Sequence, residues 1–396
     1  ATNWAGRRGG RVSRYDLVLV GGGLANGMLA WRLLSQRPEV TFIVLERGLA
    51  PGGNHTWCFH ETDLSPADAT AIEPMVAHRW PTQEVRFPAF TRQLSSPYRC
   101  ITSDRFAAVL TKRLGPRLRT GAPVRDLRPD GVTLEGGKII EGTVIDGRGQ
   151  HTHPALVTRY QSFLGHELRF QAPHGLTAPI IMDATTAQDA GYRFTYVLPF
   201  DERTALVEDT GYVDHGRLDR RQLEQRIAQY CRAQGWETEA HLRTESGVLP
   251  ITLGGNPADF WADAGGVPRI GLAGSLFHPT TGYSLPDAVR TAALIAALPN
   301  LSAPAVFDAL RTHALLNWNE QRFYRALNRM LFLAGRPDAR WRVMERFYRL
   351  PQPLIERFYG GHLTGADKLR LLLGKPPVPV MEALAALLAQ PTGTPS

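Results

Sequence analysis

The sequence predicts a mixed α/β protein: a parallel sheet unit near its start, later segments that return to that unit, and a helical, basic C-terminal third. Three observations predict it. Residues 15–46 read as strand, Gly turn, helix and strand. Two later apolar segments, 138–149 and 269–287, carry strand-like runs with Gly turns. From residue 305 onward, apolar positions recur at helical spacing. A length of 396 residues allows two or three domains. With 43% hydrophobic and 21% charged residues, a disordered chain is excluded.

In the first unit, Leu17 to Val20 is a short strand, residues 24–37 are a helix ended by Arg37-Pro38, and Val40 to Leu45 is a second buried strand leading into Glu46. This is the βαβ pattern of a dinucleotide site. Gly21 allows the tight turn, and Gly23 lets the backbone approach a pyrophosphate. The helix N-terminus then faces phosphate charge, and Glu46 stands where a carboxylate accepts ribose hydroxyls. Asn26 occupies the third glycine position of the pattern, with Gly27 after it. A Gly-rich turn without a ligand is the alternative; the flanking strand, helix and acid favour the dinucleotide.

Residues 138–149 form an apolar strand ending in Asp146-Gly147, and 269–287 a strand, a Gly turn and a helix starting near Ser284. Flavoproteins with a split sheet return to their cofactor late in the chain, so the two segments together favour FAD over a nicotinamide. Gly274, Gly282 and Ser284 are the small residues able to approach the ribityl chain. His55, beside Gly53, and His278, before Pro279, are candidates to line the same site.

Arg203 to Thr210 reads as a strand ending in the acid pair Glu208-Asp209. Adjacent side chains on a strand point to opposite faces, so the two form no close pair. One faces a substrate and the other takes a structural role, unless both are simply exposed at a strand end. A carboxyl group in an apolar pocket has a raised pKa and stays protonated. Tyr192, Phe194 and Tyr196 alternate and share one face of a strand. Trp57, Phe277 and Tyr283 join them as rings that either stabilise a cation through their π faces or pack a core.

Three scattered cysteines exclude a disulfide framework and thiol redox motifs, and suit a reducing compartment. No metal is expected: His151 and His153 have no third ligand in sight, and H-E-x-x-H, G-x-S-x-G and Walker A patterns are missing. The net charge of +8 is local. Four Arg and no acid fall in residues 1–14, read as a mobile arm without a signal peptide, and twelve Arg or Lys against five acids fall in residues 318–375. No run is long and unbroken enough to span a bilayer. Helical stretches at 305–334 and 339–359 interleave Arg with aromatic residues. They read either as a monotopic membrane face or as a helical cap over a tunnel. Nucleic acid is disfavoured, because no recognition motif accompanies the charge. Residues 374–380 read as extended and 381–389 as a final helix.

The blocks GGGLANG (21–27), GGNHTWCFH (52–60), HGLTAPIIMDAT (174–185), ALVEDTGY (205–212), LPITLGGN (249–256), FHPTTGYSLP (277–286) and RWRVMERFYRLP (340–351) closely resemble the bacterial CrtY-type lycopene β-cyclases. The resemblance runs from about residue 15 to 385. It implies a p-hydroxybenzoate-hydroxylase-like fold, with a discontinuous FAD-binding domain (15–80, 101–155 and 262–305), an inserted antiparallel β-sheet substrate domain (81–100 and 156–261) and C-terminal helices (306–396). It implies a non-redox isomerase that closes the ψ end groups of lycopene, and of other ψ-ended carotenoids, into β-ionone rings. FAD is then used in its reduced form, with NAD(P)H a candidate reductant. The enzyme would be cytoplasmic and peripherally attached to the inner membrane. The cofactor-binding candidates become Gly21, Gly23, Asn26, Glu46, Gly53, His55, Asp146, Gly147, Gly274, Pro279, Gly282, Tyr283 and Ser284. Glu208 matches the family's acidic motif as the proton donor, with Asp209 in support. Trp57, Tyr192, Phe194, Tyr196 and Phe277 are pocket candidates. The rival reading is a flavin monooxygenase or dehydrogenase of a hydrophobic substrate on the same fold; a carotenoid carrier is a third.

Overall fold

The computed structural model describes residues 13–150, 152–188, 191–373 and 379–388. Its first part runs β1 (Ser13–Val20), α1 (Leu24–Gln36), β2 (Phe42–Leu45), β3 (Thr56–His60), α2 (Pro66–Ile72), β4 (His78–Trp80), β5 (Gln83–Phe87), β6 (Phe90–Leu94), β7 (Tyr98–Thr102), α3 (Ser103–Leu114), β8 (Leu118–Arg119), β9 (Val124–Arg128), β10 (Gly131–Leu134) and β11 (Ile139–Asp146). One six-stranded sheet has the order β8-β2-β1-β11-β10-β9. Its pairings from β8 to β11 are parallel. Leu17 to Val20 are buried on both faces, as an unbroken apolar run in a parallel strand requires. Strand β1 begins earlier than the sequence suggests: Ser13 and Arg14, assigned to the arm, pair with Ile140 and Glu141 of β11. The rest of that arm, His151 and most of the extended stretch 374–380 lie outside the described residues.

The chain continues through β12 (Leu156–Phe170), β13 (Ile180–Asp183), β14 (Arg193–Pro199), β15 (Thr204–Val213), α4 (Arg220–Ala233), β16 (Thr238–Gly255), α5 (Pro257–Ala262) and α6 (Leu285–Ala296). A seven-stranded, mostly antiparallel sheet has the order β16-β12-β15-β14-β13-β5-β6. Its faces are told apart by strict alternation along β15. Ala205 and Val207 join the core under α4, whereas Leu206 and Tyr212 face the opposite side. The strand expected from Arg269 reduces to one bridge between Asp146 and Arg269, followed by a short helical turn at Gly271–Gly274. Helix α6 starts with Ser284 as its N-cap, next to the expected position.

The C-terminal part holds α7 (Ala303–Glu320), α8 (Arg322–Leu333), α9 (Trp341–Tyr348), α10 (Gln352–Tyr359), α11 (Gly365–Leu372) and α12 (Val380–Leu388). The two expected helical stretches are thus four helices. Helices α8 to α10 pack on the sheet face that carries Leu206 and Tyr212. Polar side chains lock them there. Arg92 of β6 donates to the carbonyls of Tyr348 and Leu350 at 2.7 and 2.6 Å. Asn328 of α8 is fully buried and its amide donates to the carbonyls of Thr252 and Pro279, both at 2.8 Å. Asn328→Ala is expected to take the amide donor from the Thr252 carbonyl and leave the Pro279 carbonyl with the Thr252 N–H at 3.3 Å, at a cost of about 1–3 kcal/mol, read by urea unfolding. An unchanged midpoint would show that α8 contributes no such lock.

Candidate active site

Two adjoining cavities define the site. The first, of about 440 Å³, lies at the C-terminal edge of the parallel strands and is lined by Gly21, Gly23, Glu46, Gly53, Gly147 and Arg148 among others. Gly21 has φ +93°, and a Cβ there would meet the Gly147 carbonyl oxygen at 2.8 Å, so only glycine closes this turn. Glu46 ends β2 as the sequence indicated. Its two carboxylate oxygens accept the N–H groups of Gly22 and Gly48, both at 2.7 Å.

Several expected cofactor residues stand just outside this cavity. Asn26 is buried and donates to the carbonyls of Val20 and Gly21 at 3.0 and 2.9 Å. It braces the turn from inside, which is why an amide replaces the third glycine. The Asp146 carboxylate accepts from Arg148, and Arg148 itself lines the cavity. Gly274 packs against the Arg269 carbonyl, which would lie 2.8 Å from a Cβ built there. The Pro279 carbonyl is taken by Asn328 and Thr252, and its neighbours Thr280 and Thr281 line the second cavity instead.

That second cavity, of about 190 Å³, shares His55, Trp57, Leu272 and Ser284 with the first. It is closed by the seven-stranded sheet on one side and by Met344, Phe358 and Tyr359 of α9 and α10 on the other. Gly282, Tyr283, Phe194 and Tyr196 line it. Tyr98 is fully buried behind this wall and bonds the hydroxyls of Tyr196 and Tyr283 at 3.0 and 2.7 Å. Tyr192 shares the face of Phe194 but lies in the layer behind, its ring tilted against those of Phe194 and Tyr212. Phe277 points to a separate small cleft beside His153 and Phe260. His278 is also structural: it bonds the Phe358 carbonyl at 3.0 Å, and burial pushes its pKa down to about 4.

Glu208 projects into this aromatic cavity. Burial, aided by the nearby Glu245 charge, pushes its carboxyl well above the usual range, opposed by a hydrogen bond of 2.5 Å from Thr210. Asp209 projects the other way, toward α4, and is absent from the cavity. It accepts from Arg193 Nε at 2.7 Å and lies 3.8 Å from Arg226 of α4. Of the acid pair, only Glu208 can meet a substrate.

Sequence reasoning missed Glu245, Arg243 and Thr56. Gly165 of β12 pairs with Glu208 of β15 on one side and Glu245 of β16 on the other. A Cβ at Gly165 would lie 3.2 Å from Glu245 Cγ and 3.3 Å from Glu208 Cβ. The missing side chain opens a gap across which the two glutamates flank Gly165 on the same face of the sheet, and the Glu245 charge raises the cost of ionising Glu208. Glu245 also accepts from Thr56 at 2.7 Å and Arg243 at 3.0 Å. The only local signal was an Arg-x-Glu alternation and a glycine inside a long strand.

Residues 16–385 match the sequence profile of the family described as lycopene cyclase protein. A lycopene β-cyclase of Pseudescherichia vulneris is 50% identical over 374 residues, covering 94% of this chain and 97% of that protein. A geranylgeranyl bacteriochlorophyll reductase-like protein of Thermoplasma acidophilum superposes with TM-score 0.62 at 14% identity, covering 95% of this chain and all of the other. A flavin-dependent brominase gives TM-score 0.59 at 12% identity, over 88% of this chain and 94% of its own. The architecture is therefore the p-hydroxybenzoate-hydroxylase-like one, an α/β fold with an antiparallel sheet and C-terminal helices.

Proposed function

The chain belongs to the lycopene cyclase family, and from that premise we propose that it closes the ψ end groups of lycopene into β-ionone rings, with Glu208 as the proton donor. The observation that carries the reading is a buried carboxyl group, its pKa pushed up by burial, in a cavity whose wall includes the rings of Trp57, Phe194, Tyr196, Tyr283, Phe358 and Tyr359. Glu208 gives its proton to C2 of the terminal alkene, leaving a tertiary cation at C1. The C5=C6 electron pair forms the C1–C6 bond, which moves the positive charge to C5. Loss of the C6 proton then completes the ring, with no change in formula. Trp57, Phe194 and Tyr196 offer π faces to the cation, and the packed helices α9 and α10 exclude water that would trap it. At about 190 Å³ the cavity is smaller than a typical pocket for a drug-sized ligand, roughly 300–1,000 Å³, so one end of a C40 polyene enters at a time.

The larger cavity fits FAD. The Gly21–Gly23 edge admits a pyrophosphate at the N-terminus of α1. Among the described residues each oxygen of Glu46 accepts one backbone N–H, leaving room to accept ribose hydroxyls. Bound in its reduced form, FAD would supply an electron-rich ring beside the developing positive charge. His55, Trp57 and Ser284, which face both cavities, would sit between the two ligands. NAD(P)H is the reductant we propose for keeping the flavin reduced. In this reading the FAD-binding domain is discontinuous, formed by residues 15–80, 101–155 and 262–305, with the substrate domain at 81–100 and 156–261.

The polyene is held in membrane, and a peripheral docking face completes the proposal. No helix among the described residues is long and apolar enough to cross a membrane. Leu369, Leu372, Leu373, Met381 and Leu384 are exposed on and after α11 and on α12, beside Lys368 and Arg370. That is the composition of a surface resting on anionic headgroups. The test is anaerobic product analysis with lycopene in anionic vesicles and reduced FAD. The expected result is monocyclic then bicyclic carotene without stoichiometric consumption of reductant. An oxygenated product, or one reductant spent per ring, would establish the redox alternative.

A further inference from the structure

Glu245 has no part in the mechanism just given, yet it is buried beside the acid that starts it. Its carboxylate is held by two donors: Thr56 Oγ1 at 2.7 Å and Arg243 Nη1 at 3.0 Å. Among the described residues Glu208 has one such donor, the Thr210 hydroxyl at 2.5 Å. A single proton shared between two such carboxyl groups rests on the one with fewer donors, which is Glu208. Two ionised carboxylates side by side in a dry cavity repel each other, so the pair retains that proton.

We propose that Glu245 is a positioning residue for the catalytic proton: reaching over Gly165, its clamped carboxylate keeps Glu208 loaded and aims it into the aromatic cavity. This rests on the cyclase reading for the use of the proton, though not for its existence. The two roles are chemically linked. C2, which receives the proton, and C6, which releases one, are both bonded to C1 once the ring closes. After donation both carboxylates are ionised, and the pair becomes the strongest base within reach of the C6 proton. The pair then carries one proton before and after each ring, so atoms and charge balance without solvent.

Other charged or titratable groups face Glu208 from each packed element. Arg243 of β16 is backed by Glu167 of β12 at 3.0 Å. Cys58 of β3, Tyr196 of β14, Tyr283 of the loop before α6, Tyr212 of β15 and Tyr359 of α10 line the same cavity, with His55 shared with the first cavity. Burial, with Arg243 nearby, pushes the pKa of His55 down, and burial pushes the four tyrosines up. Glu245 is therefore the closest group able to hold the Glu208 proton through negative charge.

The test is Glu245→Gln, read by infrared titration of the buried protonated carboxyl band and by the pH profile of turnover. Arg243 keeps Glu167 and the Asn54 carbonyl in this variant, so the fold is not left with a bare guanidinium. The band, identified by its loss in Glu208→Gln, should titrate about one pH unit or more lower than in the parent protein. The alkaline limb of kcat should move with it, and lower pH should restore turnover, with KM little changed. Glu245→Asp, too short to span Gly165 but able to keep its charge, should shift the band in the same direction and less. An unmoved band midpoint in both variants would overturn the proposal. A shifted band in a protein that makes no rings from lycopene would leave the pair standing and sink the cyclase reading instead.

Discussion

Glu208→Gln is expected to lower lycopene turnover by roughly 10²–10⁴-fold, the range associated with removing a positioned general acid. The substitution is close to isosteric with the protonated carboxyl group, and its amide oxygen still accepts from Thr210. It removes the transferable proton and little else, so the polyene should still bind. The stability consequence has a definite sign. Burial raises the Glu208 pKa above its unfolded value. The native state thus holds a proton that the unfolded chain has already released. Stability from this group is complete below the unfolded carboxylate range and declines as pH rises toward the native pKa. Gln has nothing to release, so the variant should unfold no earlier than the parent at neutral pH and later at alkaline pH. Retained cyclisation would remove Glu208 from the mechanism. Lost turnover together with lower stability would point to a structural role instead.

The contrast between Glu208 and Glu245 shows what was legible in the sequence. The glycine turn, α1 and Glu46 lie within 26 residues of one another, and local rules of turn, strand and helix suffice to assemble them. Strand alternation separates Glu208 from Asp209 without tertiary information, but that Glu208 is the one facing the substrate comes only from the resemblance to the family's acidic motif. Glu245 was not legible, because its meeting with Glu208 depends on the register of two strands against the single residue Gly165. No pattern within β15 or β16 encodes that register. Asn26 shows another limit: it belongs to a cofactor-facing block, yet its side chain is turned into the glycine turn, on the Val20 and Gly21 carbonyls. Tyr192 stands one layer behind the cavity wall and Phe277 faces a separate cleft, since ring content reveals a greasy wall but not which ring reaches its surface. Tyr98, which ties two cavity tyrosines together, carries no sequence mark beyond being aromatic.

Asp209→Ala should have the largest effect on stability and little on chemistry. The carboxylate is almost fully buried between Arg193 and Arg226, whose side chains reach solvent only in part. Removing one partner of a buried ion pair leaves the other charge uncompensated, at a cost of about 3–5 kcal/mol. The partial exposure of both guanidinium groups places the expected loss near the lower end, roughly 3 kcal/mol. Asp209→Asn should lose less, since one oxygen still accepts from Arg193. The neighbouring Glu208 should hardly move. At Asp209 the strand is paired on both sides, with Leu164 of β12 and Thr195 of β14, so its backbone is fixed independently of the side chain beneath. The folded fraction should therefore keep kcat within a few-fold of the parent while the urea midpoint falls. If kcat collapsed at full stability instead, Asp209 would be acting on Glu208 through the strand, and the separation of the two faces into chemistry above and support below would be wrong.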